Sequence, residues 1–325
     1  IGSRTEGWVE YESFLRNLDP EYLESVCGVD RNLVKEAATA YASAGRAMEF
    51  HGLGVTEHWQ GTKAVTILAN IAMMTGNLGK PGCGINPLRG QNNVQGAADM
   101  GVQPHQGAGY FAVDDAGNSR LYSEFYGVDV PLKPGYRIPE MFEAASRGDL
   151  KALWIMGEDL LQTDPNTCHV HDALSRLEFL MVQEIFMSET CRIADVVLPA
   201  SSFLEKEGTF TNGERRVQKV NRVIEPLPGT KPDGQIVSEM MSRMGFSQPP
   251  YSAAAVLEEI SGIVPFFKGI KWEDLGINGK QWPVYEDGSD TRILHTETFK
   301  RGRGKFHAWD FEETPEVTSN GTSFP

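Results

Sequence analysis

The 22 residues from Thr75 to Gly96, TGNLGKPGCGINPLRGQNNVQG, constrain this chain more than any other stretch. Six glycines and two prolines break any regular helix or strand through them. Lys80, Arg89 and the amides Gln91, Asn92 and Asn93 fill the gaps. Glycine lets backbone approach a ligand closely, and loop N–H groups hold anionic oxygens. Amides offer donors and acceptors together, as a heterocycle edge requires. After a long apolar helix, such a loop reads as a site rather than a mere connection. The plainer alternative is an extended surface loop with ordinary turn chemistry.

Composition narrows the class. At 325 residues there is room for one large domain or two, and a net charge of −14 argues against a nucleic-acid surface. An anionic substrate has to be met by local positive charge. No apolar run approaches the roughly 18 residues of a membrane span. Cys27, Cys83, Cys168 and Cys191 form no C-x-x-C pair, against a metal or iron–sulfur site made by this chain alone. In Cys168-His169-Val170-His171 adjacent side chains point apart, so it reads as a helix start. Reduced cysteines fit a cytoplasmic location. The ends, from Ile1 and to Pro325, suggest a piece of a longer chain.

The pattern predicts helices over 8–18, 20–27 and from Asp30 to about Ala44. A buried strand follows from Ala47 to Leu53, then one amphipathic helix from His58 to Met74 with Ala64, Ile67, Leu68, Ile71 and Met74 inward. The amide-rich loop runs on to Tyr110, and 111–137 read as an irregular excursion. Helix 138–147 precedes apolar strands over 152–156, 179–183 and 195–199, with helices from Asp164 and from Thr190 to Ala194 between them. Helices over 233–245 and 253–260 follow, the first with Ile236, Val237, Met240, Met241 and Met244 inward. Alternating strands and helices give a parallel α/β sheet covered on both faces, with ligands at the carboxyl ends of its strands. Those ends are the Gly54 turn, 157–164, 184–188 and 199–201. A Rossmann glycine fingerprint is absent, Lys80 sits in no P-loop spacing, and Ser201 lies in no nucleophile elbow.

Four segments carry a specific resemblance. Residues 75–101 resemble the molybdopterin oxidoreductase superfamily, and within it the catalytic alpha subunits of formate dehydrogenases. Met156 to Asp164 resemble its M-G-E-D-x-x-Q-T-D loop, and Gln183 to Pro199 its Q-D-I-F-x-x-x-T-x-x-x-A-D-V-x-L-P segment. Glu205 to Gln218 resemble its E-x-x-G-T-F-x-N-x-E-R-R-x-Q. Two departures are Leu160, where the family often has Pro, and Glu184, where Asp is common.

The resemblance implies an αβα sandwich that binds molybdopterin guanine dinucleotide, with irregular excursions and a helical or extended tail. It implies an αβα domain over 1–200, a segment over 201–224 that packs on an iron–sulfur domain, a return to the αβα domain over 225–290, and a linker over 291–325 toward a barrel domain absent here. The implied activity is oxidation of formate to carbon dioxide, with two electrons passing to molybdenum or tungsten held by two dinucleotides. By motif, Arg89 and Gln91 are the catalytic candidates, Arg89 because its planar fork meets a carboxylate. Gly54, Asn92, Gly157, Glu158, Gln162, Asp164, Glu184, Ser188 and Asp195 are the cofactor-binding candidates, with Asp164 on the guanine N1–H and N2–H. Capping by Ser188 and a strand-start role for Asp195 are the structural alternatives. No metal ligand is assigned in this chain, and the ligands of the family's 4Fe-4S cluster lie outside it. The implied partners are formate, the rest of the same subunit and electron-transfer subunits. Two alternatives stand beside this reading: a nitrate reductase or arsenite oxidase, and a non-catalytic structural or electron-relay subunit of the same fold.

Overall fold

The computed structural model describes residues 2–130, 133–312 and 314, so the part of the expected linker past Thr314 lies outside the described residues. The chain runs from β1 (Thr5–Glu6) into α1 (Trp8–Arg16), α2 (Pro20–Cys27) and α3 (Arg31–Ser43). Aspartates set two of these starts: Asp19 accepts the Glu21 N–H at 2.9 Å, and Asp30 the Asn32 N–H at 2.7 Å. Next come β2 (Met48–His51), α4 (Leu53–Thr56) and α5 (Gly61–Thr75). The single helix expected from His58 therefore begins at Gly61, and a separate turn of helix carries Gly54.

The glycine-rich run is not wholly irregular. It contains β3 (Gly84–Pro87) and the start of α6 (Val94–Asp99). Strand β3 has almost no apolar pattern, but it pairs in parallel with β2, from Met48 opposite Gly84 to His51 opposite Pro87. A partner strand supplies what local sequence does not signal. After β4 (Gln106–Gly107) and β5 (Phe111–Ala112), helix α7 (Ala116–Tyr126) occupies part of the expected excursion. Asp115 starts it by accepting the Gly117 and Asn118 N–H groups, each at 2.9 Å.

Then follow α8 (Ile138–Arg147), β6 (Ala152–Met156), α9 (Leu160–Thr163), α10 (Thr167–Ser175), β7 (Phe179–Glu184), α11 (Glu189–Arg192) and β8 (Val196–Pro199). Asn166, not Asp164, caps α10, and Asp164 closes α9. The remainder is β9 (Gly208–Thr211), β10 (Arg216–Val220), α12 (Asp233–Arg243), α13 (Ala253–Ile263), β11 (Lys280–Gln281) and β12 (Gly304–Lys305).

Two compact units result: one holds residues up to Asn92 with those from Thr291 onward, the other Asn93–Asp290. In the first, β12 pairs in parallel with β1, so two residues of the basic glycine-rich stretch 300–306 form a strand, and Arg301 lies 2.7 Å from Glu6. Asn70 and Ala72 are fully buried on α5, and the Asn70 side chain donates to the His307 carbonyl at 2.8 Å. The expected apolar stripe of α5 is only half-buried, and Ile67 is exposed.

In the second unit β6, β7 and β8 form a parallel sheet in that order. Ile155, Leu180 and Val182 on one face pack with Phe142 and Ala145 of α8 and Val170 and Leu174 of α10. A second core gathers Val217, Leu257, Val264, Phe267, Ile270 and Val284 beside the antiparallel strands β9, β10 and β11. Along α12 only Ile236 is buried, while Met241 and Met244 are exposed, so the expected methionine stripe is not core. The fold is mixed α/β, built on small parallel sheets in place of one large one. Among the described residues no helix is long and apolar enough to cross a membrane.

Candidate functional site

In the first unit, both parallel strands end beside the arginine turn. The Leu88 N–H donates to the His51 carbonyl at 2.7 Å, carrying the β2–β3 ladder one bond past Pro87. Arg89, Gln91 and Asn92 follow directly and all three are exposed. Gly54 lies in α4 after β2, exposed, its carbonyl 2.8 Å from His58 Nε2. Arg89 is thus a permanently charged side chain placed at a strand end, where parallel sheets put their ligands.

The run's last residues belong to the second unit and are tightly held. Asn93 adopts φ 60°, and its Oδ1 accepts the Thr211 N–H at 2.9 Å. A Cβ on Gly96 would stand 2.1 Å from that Oδ1, so glycine is required there. Asp99, fully buried, accepts Gln95 Nε2 at 2.8 Å and the Tyr110 hydroxyl at 2.6 Å on Oδ1, and Trp282 Nε1 at 2.8 Å on Oδ2. Helix α6 is therefore pinned at both ends by polar contacts.

The carboxyl edge of β6–β7–β8 gathers most of the other candidates. Gly157 follows β6 at φ 66°, with open space where a Cβ would stand, so backbone conformation and not crowding calls for glycine. Its N–H donates to the Gln183 carbonyl at 2.9 Å. Glu158 accepts the Thr163 hydroxyl at 2.5 Å, and Asp164 Oδ2 lies 3.5 Å from the same hydroxyl. Burial, then the neighbouring charge of Glu158, pushes the Asp164 carboxyl above its ordinary value, and the Thr163 contact opposes them. Gln162 is exposed on α9. Glu184 folds back to accept the Ile185 N–H at 2.6 Å.

Two candidates are engaged structurally. Ser188 caps α11, accepting the Cys191 N–H at 3.3 Å. Asp195 precedes β8 at the opposite, amino edge of the sheet, where its Oδ2 accepts the Leu180 N–H at 2.7 Å. The structure therefore does not bring Asp195 together with Gly157 and Glu184.

Two groups were not singled out from the sequence. Asp159 reaches Thr190, thirty-one positions away, and the two loops meet through that contact. Gln183, fully buried, donates to Asp233 Oδ1 at 2.7 Å, and Lys206 closes an ion pair on Asp233. The motif matches span Asp159, Gln183 and Thr190, but no local pattern marks such distant polar pairs.

A small parallel sheet with ligand-type loops at its carboxyl edge, and a second strand pair presenting an arginine turn, defines an α/β cofactor-binding class. Residues 1–243 match the family described as Molybdopterin oxidoreductase, and the chain belongs to that family. Similar proteins include the F420-dependent formate dehydrogenase subunit alpha of Methanocaldococcus jannaschii, 40% identical over all of this chain and 48% of the relative. Formate dehydrogenase H of Escherichia coli is 41% identical over 94% of this chain and 43% of the relative. The chain thus spans under half the length of these relatives. Acetylene hydratase from Pelobacter acetylenicus superposes with a TM-score of 0.64 at 15% identity, over 94% of this chain and 44% of that one, which shows the fold alone.

Proposed function

We propose that this chain is the middle-to-late part of the catalytic subunit of a formate dehydrogenase, with molybdenum or tungsten held by two molybdopterin guanine dinucleotides. The observation that carries the reading is Arg89, exposed at the end of the β2–β3 ladder within an unbroken R-G-Q-N-N-V-Q-G run. Formate is the smallest carboxylate. The Arg89 fork grips both its oxygens in parallel, and Gln91 adds an amide N–H beside them. These two side chains orient the C–H bond and hold the anion's charge in place while it is oxidised. The pterin-held metal, when bound, supplies the two-electron chemistry that turns formate into carbon dioxide and a proton.

The edge of β6–β7–β8 fits the nucleotide end of such a cofactor. It is rich in acceptors: Glu158 and Asp164 are carboxylates, and Gln183 Oε1 and Ser201 Oγ are buried without a hydrogen-bond partner among the described residues. Guanine N1–H and N2–H suit the two Asp164 oxygens, and ribose hydroxyls suit Glu158 and Gln162. An acidic edge does not suit a diphosphate, so the backbone N–H groups that follow Gly157, whose own N–H is spent on the Gln183 carbonyl, take that part. The 4Fe-4S cluster, the electron-transfer partner subunits and a cytoplasmic location complete the proposal. The fragment alone is inactive, because the metal ligand lies elsewhere in the subunit.

The test is the full-length protein, purified anaerobically and assayed for pterin, metal and formate oxidation. Turnover with both groups present supports the reading, and a protein lacking pterin and metal as isolated removes it in favour of a structural subunit.

A further inference from the structure

The two loops at the carboxyl edge of β6–β7–β8 are joined by one hydroxyl and one carboxylate. Asp159 Oδ1 accepts the Thr190 hydroxyl at 2.6 Å and the Thr190 N–H at 3.0 Å, and Oδ2 accepts the Glu189 N–H at 3.4 Å. The Thr190 oxygen in turn accepts the Leu161 N–H at 3.1 Å. The hydroxyl therefore gives its proton to one side and takes one from the other, which fixes its rotor. Thr190 is fully buried. Burial disfavours the Asp159 charge, yet the hydrogen bonds from Thr190, Glu189 and Gln162 overcome it and hold the carboxyl below its usual range.

This tie is not needed to close the sheet. The ladder between β6 and β7 is already carried past its end by the Gly157 N–H, and Leu160 and Cys191 on the two loops already reach the apolar core. What the tie adds is register between loops several of whose other side chains are exposed. Glu158 and Gln162 flank it on one side, and Ile185, Phe186 and Met187 on the other. Its charge is consumed internally, so it adds no bare carboxylate to an edge that already carries Glu158, Asp164 and Glu184.

We propose that Asp159 and Thr190 are positioning residues, a clamp that holds the Gly157–Asp164 loop against the start of α11, and so beside the Glu184–Ser188 loop, at the spacing a guanosine nucleotide requires. This rests on the nucleotide reading of that edge. Without the clamp each loop must be ordered at the moment of binding, and affinity falls.

The test compares the full-length protein, isolated without its pterin, with its Asp159→Asn, Thr190→Val and Thr190→Ser variants, reading GDP affinity by calorimetry and amide exchange over residues 157–164 and 186–192. Both loops are expected to exchange faster in Asp159→Asn and Thr190→Val, with GDP bound about tenfold more weakly or worse. Thr190→Ser keeps the hydroxyl and restores both. Faster exchange with unchanged affinity overturns the proposal, as does unchanged exchange in both variants. Should Asp159→Asn fail to fold, Thr190→Val against Thr190→Ser decides alone. If the unaltered chain shows protected loops but binds no GDP, the nucleotide reading fails and the clamp's role with it. That result is distinct from a clamp that is present and dispensable.

Discussion

Asp164, the residue proposed to read the guanine edge, is held at odds with the fold around it. Its carboxyl sits above the ordinary value because burial and Glu158 both oppose its charge. The stability tied to its protonated form is present below the unfolded value of about 3.9 and is lost as pH rises through the raised folded value. At pH 7 the ionised side chain therefore weakens the ligand-free protein. Asp164→Asn is expected to melt at a higher temperature than the parent at pH 7, with the gap closing below about pH 4. The same change should abolish GDP binding, since an amide presents only one acceptor to the guanine edge. A thermal-melt series across pH, paired with calorimetry, checks both halves. The residue was legible in the sequence as part of a matched loop, but its helix was not. The pattern opened a helix at Asp164, and the residue stands at the end of α9 because Asn166, at φ 60°, starts the next helix.

At the scale of elements, α6 is the piece the sequence concealed. Glycines and amides on either side disguise it, and the contacts that hold it come from Tyr110 and from Trp282, 183 positions beyond Asp99. Removing the Asp99 carboxylate strands a buried indole N–H, a phenol and an amide donor. Asp99→Ala is therefore expected to cost roughly 3 kcal/mol or more in urea unfolding, and Trp282→Phe less in hydrogen bonding, since the other donors keep their acceptor. Equal losses near zero for Asp99→Ala would mean that the network does not hold the helix. By contrast β6 and β7 were plain in the sequence, because Ala152–Met156 and residues 179–182 are unbroken apolar runs, as parallel strands commonly show. Strand β3 was hidden, since Gly84, Asn86 and Pro87 carry no such signal and only pairing with β2 defines it. Asp115 was the readable but overlooked mark of α7, a cap followed by a helix with a weak apolar face.

Across the whole molecule, stability is distributed unevenly. Both apolar core clusters lie within Asn93–Asp290. In the other unit α2 and α3 contain no buried residue, and Tyr22, Leu33 and Val34 stand half exposed or more. Amides in α2 and α3 are expected to exchange at least about a hundredfold faster than those of β7, because local opening there breaks few apolar contacts. Comparable protection in both would show a cooperative unit larger than the contacts suggest.

The central claim is that Arg89 grips formate in the complete enzyme. The most direct measurement is kcat/KM for formate in the full-length protein, parent against Arg89→Lys, with pterin and metal content matched. A lysine keeps the charge but loses the planar fork, so a loss of about a hundredfold or more at unchanged cofactor content is predicted. Equal turnover in the two proteins, or none from a fully loaded parent, would contradict it.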